Sequence, residues 1–309
     1  VNEFELIKAY FDWDNSNQLI DLAIGDDCAI VNTEPGYQLL SSVDTLIEGV
    51  HFSSDTIAQD IAYKALAVNL SDLAAMGATP KYFTLALTLP NLDEQWLGDF
   101  SASLKELANE YKLSLIGGDT TKGPLSITIN ITGQVKKGKA LLRSSAKVGD
   151  AIFVSNTLGD AACAWMQIQN NQTPSEYCLN QLNRPKPQVK LGQSLIGIAN
   201  ACVDVSDGLE QDLSHVLTYS GVGASIDVNK LVLSDEVASY IDATNDWCIV
   251  LAGGDDYELC FSVPKERINA LKTVEKELGI TLTKIGVITK KQGLLIKNTD
   301  KTCESYQHF

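Results

Sequence analysis

The chain alternates between two hydrophobic periods. Residues 57–76, "IAQDIAYKALAVNLSDLAAM", place apolar side chains at helical spacing, and Gly77 with Pro80 just beyond supplies a stop. Residues 93–111 predict a second helix. Strands are predicted at 37–44, at 81–89 (ended by Pro90), at 113–117, and at 125–135, where polar and apolar positions alternate. The first half therefore reads strand-helix-strand-helix-strand-strand. A basic, Gly-containing stretch at 136–150 marks a boundary. Beyond it the pattern predicts a strand at 151–155, a helix near 160–169, a Pro-bounded connection and a helix near 188–200. A strand at 202–205 leads to a helix from about Asp207. Strands near 223–228 and 257–263, a helix at 265–278 and two final strands complete the second half. Two α/β or α+β domains are expected, 1–138 and 139–309.

Composition narrows the class. The chain has 309 residues, 45% hydrophobic and 20% charged, enough to bury sizeable cores. No run of about 18 apolar residues predicts a membrane span, and the acidic, amphipathic "VNEFELIKAY" lacks the features of a signal peptide. The formal net charge of -15 argues against general nucleic-acid binding. Seven cysteines without a C-x-x-C pair predict reduced, mostly buried thiols in the cytoplasm. Three histidines with no close Cys/His pair argue against zinc.

The carboxylates change the picture most. Asp lies beside Gly, Ser or Thr in "GDD" (25–27), "SVDT" (42–45), "NLSD" (69–72), "GGDT" (117–120), "DVSDG" (204–208) and "GGDD" (253–256). Asp44 and Asp119 are read as ending strands, and Asp204 and Asp207 as straddling a strand end and a helix start. Ligands bind at such strand ends in α/β sheets, although Asp and Gly also favour ordinary turns and caps. Asp72 falls inside an apolar helix, three residues after Asn69, and residues 65–80 contain no Lys or Arg. Many hard oxygens with few His or Cys suit Mg²⁺. Converging carboxylates suggest several Mg²⁺ ions holding a nucleotide triphosphate, with the glycines of "GGDT" admitting its phosphates. "GQVKKGKA" (133–140) imitates a P-loop, but Ala140 stands where a Ser or Thr is needed and a strand follows. The H-R-D and D-F-G motifs of protein kinases are also absent.

Seven segments, in order, carry a resemblance: "GDDCA" (25–29), "VDTLIEGVHF" (43–52), "YKALAVNLSDLAAMGA" (63–78), "IGGDTTKGP" (116–124), "DVSDGL" (204–209), "GGDDYELCF" (253–261) and "YQHF" (306–309). Together they resemble the thiamine-monophosphate kinase family of the aminoimidazole-ribonucleotide-synthetase superfamily, over almost the whole chain. The resemblance implies the two-domain fold of that superfamily and a homodimer whose N-terminal domains pair their sheets, with ATP against that interface. It implies phosphorylation of thiamine monophosphate by ATP. It puts Asp27, Ser42, Asp44, Asp72, Asp119, Asp204 and Asp207 at Mg²⁺ positions. Gly118, Asp119, Arg143 and Ser206 fall at ATP positions, and His51, Glu258 and Tyr306 at thiamine-phosphate positions. Val43 departs from a Thr common in the family.

The chemistry implied needs no general base, because the acceptor is already an ionised phosphate. The obstacle is to bring two anions together, which Mg²⁺ and a fixed guanidinium at Arg143 relieve. Each residue also has a plainer reading. His51 fits a hydrogen-bonded loop, Glu258 a solvent-facing strand position, Tyr306 a packing anchor and Arg143 a solvated loop. Two other functions are weighed: another ATP-using synthetase of the superfamily, and a non-catalytic nucleotide or thiamine-phosphate sensor.

Overall fold

The computed structural model describes residues 3–13, 17–299 and Cys303. The chain forms two compact units, Val1–Leu73 with Ala78–Gly138, and Ala74–Gly77 with Lys139–Phe309.

The first unit opens with α1 (Glu3–Tyr10), β1 (Ile20–Leu22) and β2 (Ile30–Val31). There follow β3 (Tyr37–Ile47), α2 (Ala58–Ala75), β4 (Thr79–Leu89), α3 (Glu94–Glu110), β5 (Ser114–Lys122) and β6 (Ser126–Lys136). The last turn of α2 is grouped with the second unit. The four long strands form a sheet in the order β3-β6-β4-β5. β4 and β5 are parallel, joined through α3; the other two pairings are antiparallel. Leu66, Leu70 and Leu73 of α2, Phe100 and Leu104 of α3 and Ile127, Ile129 and Ile131 of β6 are all buried. Asp93 caps α3 by accepting from the Gln95 and Trp96 amides.

The second unit contains β7 (Ala151–Ser155), α4 (Asp160–Gln169), α5 (Glu176–Asn183), α6 (Val189–Leu195), β8 (Ala201–Val205) and α7 (Leu209–Ser220). It continues with β9 (Gly223–Asp227), α8 (Asp235–Thr244), α9 (Cys248–Leu251), β10 (Glu258–Val263), α10 (Ile268–Leu278), β11 (Leu282–Thr289) and β12 (Gly293–Lys297). Its six-stranded sheet runs β12-β9-β11-β7-β10-β8. Only β9 and β12 are parallel. The strands β7, β8 and β10 are buried along their whole length, which is why apolar residues predominate in them apart from Asp204 and Glu258.

Three expectations need correction. β3 continues to Ile47 and β5 to Lys122, so Asp44 and Asp119 lie inside strands rather than at their ends. β4 supplies the reason for β5: it pairs with it from Tyr82 to Leu89, and this ladder carries "GGDTTK" as strand despite its composition. Finally, not every thiol is reduced and buried. Cys248 and Cys303 form a disulfide, 55 residues apart in sequence, and Cys28 is an exposed thiol. The other four cysteines are buried thiols. Spacing along the chain cannot reveal a pair that only folding brings together.

Candidate functional site

In the first unit, "GDDCA" and "GGDT" both line one cavity of 480 Å³. Asp27, Cys28, Gly118 and Asp119 line it, with Ile7 of α1 and Phe11 just beyond that helix adding apolar wall. The size suits a small-molecule site, typically about 300–1,000 Å³. Asp27 and Asp119 are both exposed. The fold itself accounts for one glycine. A Cβ on Gly118 would lie 1.9 Å from the Leu85 carbonyl oxygen of β4, so the strand pairing demands glycine there.

Ser42, Asp44 and Asp72 also lie in this unit. Alternation along β3 turns Ser42 and Asp44 to one face and Val43 to the other. Ser42 Oγ donates to Asp72 Oδ2, so strand and helix meet through oxygen atoms. Val43 is 57% exposed on the outer face. A threonine there would point its side chain the same way, so valine removes no side-chain ligand from the Ser42 face. Asn69, one turn before Asp72, is fully buried and its Nδ2 donates to the Ala65 carbonyl. His51 Nδ1 accepts from the Ile47 amide at 3.1 Å, and buried Lys64 donates to the His51 carbonyl at 3.1 Å. His51 is half-buried and hydrogen-bonded in the loop four residues past the end of β3.

In the second unit, Asp204 is buried on β8, whereas Asp207 is exposed and accepts from Gln211 Nε2. Sequence reasoning missed the residue that shapes this turn. Buried Asp212, on α7, accepts from the amides of Ser206 and Asp207 at 2.9 and 3.0 Å. Burial pushes its pKa up to about 7, although the two amides and Arg143 pull the other way. Its spacing after "DVSDG" was the available signal. Arg143 sits in a short 3-10 turn, exposed, with its carbonyl accepting from Ser220 Oγ.

The "GGDD" segment lies along the same turn. The Asp255 amide donates to the Ser206 carbonyl and the Tyr257 amide to the Val205 carbonyl. A Cβ on Gly254 would meet the Ser206 oxygen at 2.6 Å. Asp256 accepts from the Gly159 amide through Oδ1, while Oδ2 is sealed from solvent without a hydrogen-bond partner. Burial raises its pKa well above the usual carboxylate range, and Asp160, Glu258 and Asp255 add to the rise. Glu258 is not the solvent-facing strand residue of the plainer reading: it is 6% exposed. Tyr306 lies outside the described residues.

The carboxylates do not form a ready-made cage. Among the described residues no three His, Cys, Asp or Glu side chains gather closely enough to hold a metal ion. Like charges disfavour such a gathering without a cation. The donors do fit Mg²⁺ in kind: Ser42, Asp44 and Asp72 supply hard oxygens, and Mg²⁺ binds through one or two carboxylates plus substrate phosphates. The P-loop imitation is also resolved, since residues 133–136 continue β6.

Comparison with known proteins identifies the family. The family described as AIR synthase related protein matches through its N-terminal domain over residues 25–135 and through its C-terminal domain over 147–297. Thiamine-monophosphate kinase of Haemophilus influenzae is 46% identical over 301 residues, covering 95% of this chain and 91% of the relative. The crystal structure of thiamine-monophosphate kinase from Stenotrophomonas maltophilia K279a superposes with a TM-score of 0.87 at 42% identity, over 93% of each chain. A structure of AaThiL complexed with AMPPCP and TMP superposes with a TM-score of 0.79 at 30% identity, covering 99% of this chain and 96% of that one. The chain belongs to the thiamine-monophosphate kinase family, within the AIR synthase related proteins.

Proposed function

We propose that this chain transfers the terminal phosphoryl group of ATP to the phosphate of thiamine monophosphate, giving ADP and thiamine diphosphate. The observation that carries the reading is the cavity bringing Asp27, Gly118 and Asp119 together in a chain of this family. The AaThiL complex with AMPPCP and TMP supports the same pair of ligands. Gly118, Asp119, Arg143 and Ser206 bind ATP. Asp27, Ser42, Asp44, Asp72, Asp119, Asp204 and Asp207 hold Mg²⁺, more than one ion in all. When bound, Mg²⁺ neutralises phosphate charge and aligns the transfer. Arg143 contributes a fixed cation toward the triphosphate. His51, Glu258 and Tyr306 receive thiamine monophosphate. The acceptor phosphate is itself the nucleophile, so no residue serves as general base. The segment 1–138 is the nucleotide and dimerisation domain, and 139–309 completes the site.

The partner is a second copy of the chain. β3 is an edge strand, and its outer face carries Tyr37, Leu39, Val43 and Ile47 exposed at alternate positions. Such a stripe supports pairing of two N-terminal sheets. No helix among the described residues is long and apolar enough to cross a membrane. We assign the chain to the cytoplasm, where ATP is made.

The test is a product assay with ATP and either thiamine or thiamine monophosphate. Thiamine diphosphate and ADP should form from the monophosphate alone. Robust phosphorylation of free thiamine would overturn direct attack by phosphate. Nucleotide binding without turnover would favour the sensor.

A further inference from the structure

His51 is held by its neighbours at three atoms. Its amide donates to the Ile47 carbonyl at 3.0 Å, and the Ile47 amide donates in return to Nδ1 of its ring at 3.1 Å. Its carbonyl accepts from Lys64 Nζ at 3.1 Å. The loop that carries it is closed on itself. Gly49 takes φ +78°, a conformation that favours glycine, and donates its amide to the Phe52 carbonyl at 2.8 Å. Phe52, the next residue after His51, is buried and anchors that end of the loop. Lys64 belongs to α2 and is 2% exposed, so its ammonium reaches the loop from within the unit and not from solvent.

The ring bond fixes the proton. A ring nitrogen that accepts a hydrogen bond carries no proton, and a neutral imidazole has one N–H. With Nδ1 bonded by a backbone amide, that proton belongs on Nε2. Protonating Nδ1 as well would set two N–H groups against each other and break the Ile47 bond. Nε2 is therefore a donor, and the ring's basic nitrogen is turned to the protein's own backbone. The lysine bond fixes the place. A buried ammonium ties the His51 carbonyl to α2, which holds the residue where the Ile47 amide meets its ring. We propose that Lys64 is a positioning residue of the acceptor site: with the Ile47 amide it locks His51 as a neutral ring protonated on Nε2, a hydrogen-bond donor to the acceptor's phosphate and not a base. The inference rests on the proposed acceptor and on His51 receiving it. A fixed N–H suits an ionised phosphate oxygen, the anionic group of that acceptor. It also agrees with direct attack by phosphate, which needs orientation of the nucleophile and no proton removed from it.

The experiment joins a spectrum to a rate assay. The full chain is labelled with ¹⁵N in histidine alone, and ring nitrogens are read through the carbon-bound ring protons at about pH 8, where an ordinary imidazole is neutral. There are three histidines, and His51→Gln identifies the signal of interest. In a single tautomer the bare and protonated nitrogens resonate far apart, whereas exchange between tautomers draws them together. Wild-type His51 should show the full separation, with the proton on Nε2. Lys64→Met keeps an apolar chain of similar length and removes the donor, so the two resonances should move together. In the same variant the KM for thiamine monophosphate should rise about tenfold, the loss of one well-placed hydrogen bond, with the KM for Mg²⁺-ATP within about twofold. A variant that melts lower but keeps the wild-type ring spectrum and both KM values would make Lys64 merely structural and overturn the inference. Equal rises in both KM values, or a changed spectrum with an unchanged acceptor KM, would overturn it too. If Lys64→Met fails to fold, the wild-type spectrum decides: a proton on Nδ1, a doubly protonated ring or averaged nitrogens overturn it. A wild type with the fixed Nε2–H ring that never turns over thiamine monophosphate would overturn the proposed function and leave the lock on His51 standing.

Discussion

The chain uses Gly-Gly-Asp twice, at 117–119 and at 253–255, and the two copies do different work. In both, a glycine is required because backbone lies where a Cβ would go: the Leu85 carbonyl beside Gly118, and the Ser206 carbonyl beside Gly254. The acids diverge. Asp119 is exposed on β5 and lines the 480 Å³ cavity. The second copy turns in a loop, with Asp255 at φ +69°, and leads to Asp256, whose Oδ2 is sealed from solvent, and to buried Glu258. An exposed carboxylate lining an open cavity is accessible to a cation. Burial of a carboxyl group disfavours its ionised form. The same Gly-Gly-Asp triplet therefore leaves both its conformation and its role to the surroundings.

The largest effect should come from Asp119→Asn. Turnover should fall by orders of magnitude, on the proposal that Asp119 holds the metal that aligns the transfer. The metal-free melting temperature should stay the same or rise, while the shift produced by Mg²⁺-ATP shrinks. Thermal unfolding in chelator and in Mg²⁺-ATP, beside a rate assay, separates this from a structural role. A stability loss in chelator with normal turnover would make Asp119 a turn-like residue and erase the contrast with Asp256.

Gly118→Ala should do the reverse and act first on stability. The added Cβ, 1.9 Å from the Leu85 oxygen, forces β5 away from β4. A loss of about 2–4 kcal/mol is expected, in the range of severe overpacking. Gly254→Ala, with 2.6 Å to the Ser206 oxygen, should lose less. Denaturant melts of the two variants rank them, and equal stability to wild type would show that the backbones can part freely.

The disulfide should contribute next. Closing a 55-residue separation between Cys248 and Cys303 stabilises by about 2–4 kcal/mol. Treatment with a dithiol, or Cys303→Ser, should lower the melting temperature by several degrees, and the treated and mutant proteins should melt together. A wild-type protein insensitive to reduction would mean the link contributes nothing.

Asp256→Asn should give the smallest effect, and of opposite sign. Its folded pKa is raised, so the folded state binds more protons than the unfolded one above the usual carboxylate range near pH 4. Stability contributed by this site is therefore lost as pH rises. The variant should be more stable than wild type at pH 7–8 and should match it near pH 3. Melting curves across that range give the difference directly, and a variant less stable at pH 8 would mean the carboxylate is paired.

Much of this was legible before folding. The strand 151–155, the helix 160–169 and the long helix through Asp72 are found where periodicity puts them, because each buries one face or all of itself. The helices Glu176–Asn183 and Asp235–Thr244 were not read, although Ser175 and Ser234 cap them through their side chains. Both are short and half-exposed, so caps carry more of their signal than apolar spacing does. The family, its ATP chemistry and its order of motifs belong to the sequence, since residue types at fixed order survive without coordinates. Only the tertiary structure decided that Asp27 and Asp119 line one cavity, that Asp212 holds the "DVSDG" turn and that Glu258 is buried and hydrogen-bonded by Ser155, Asn156 and Gln188. Contacts between residues tens of positions apart, and the desolvation that sets a carboxylate's charge, depend on which surfaces pack together, and no local pattern encodes that.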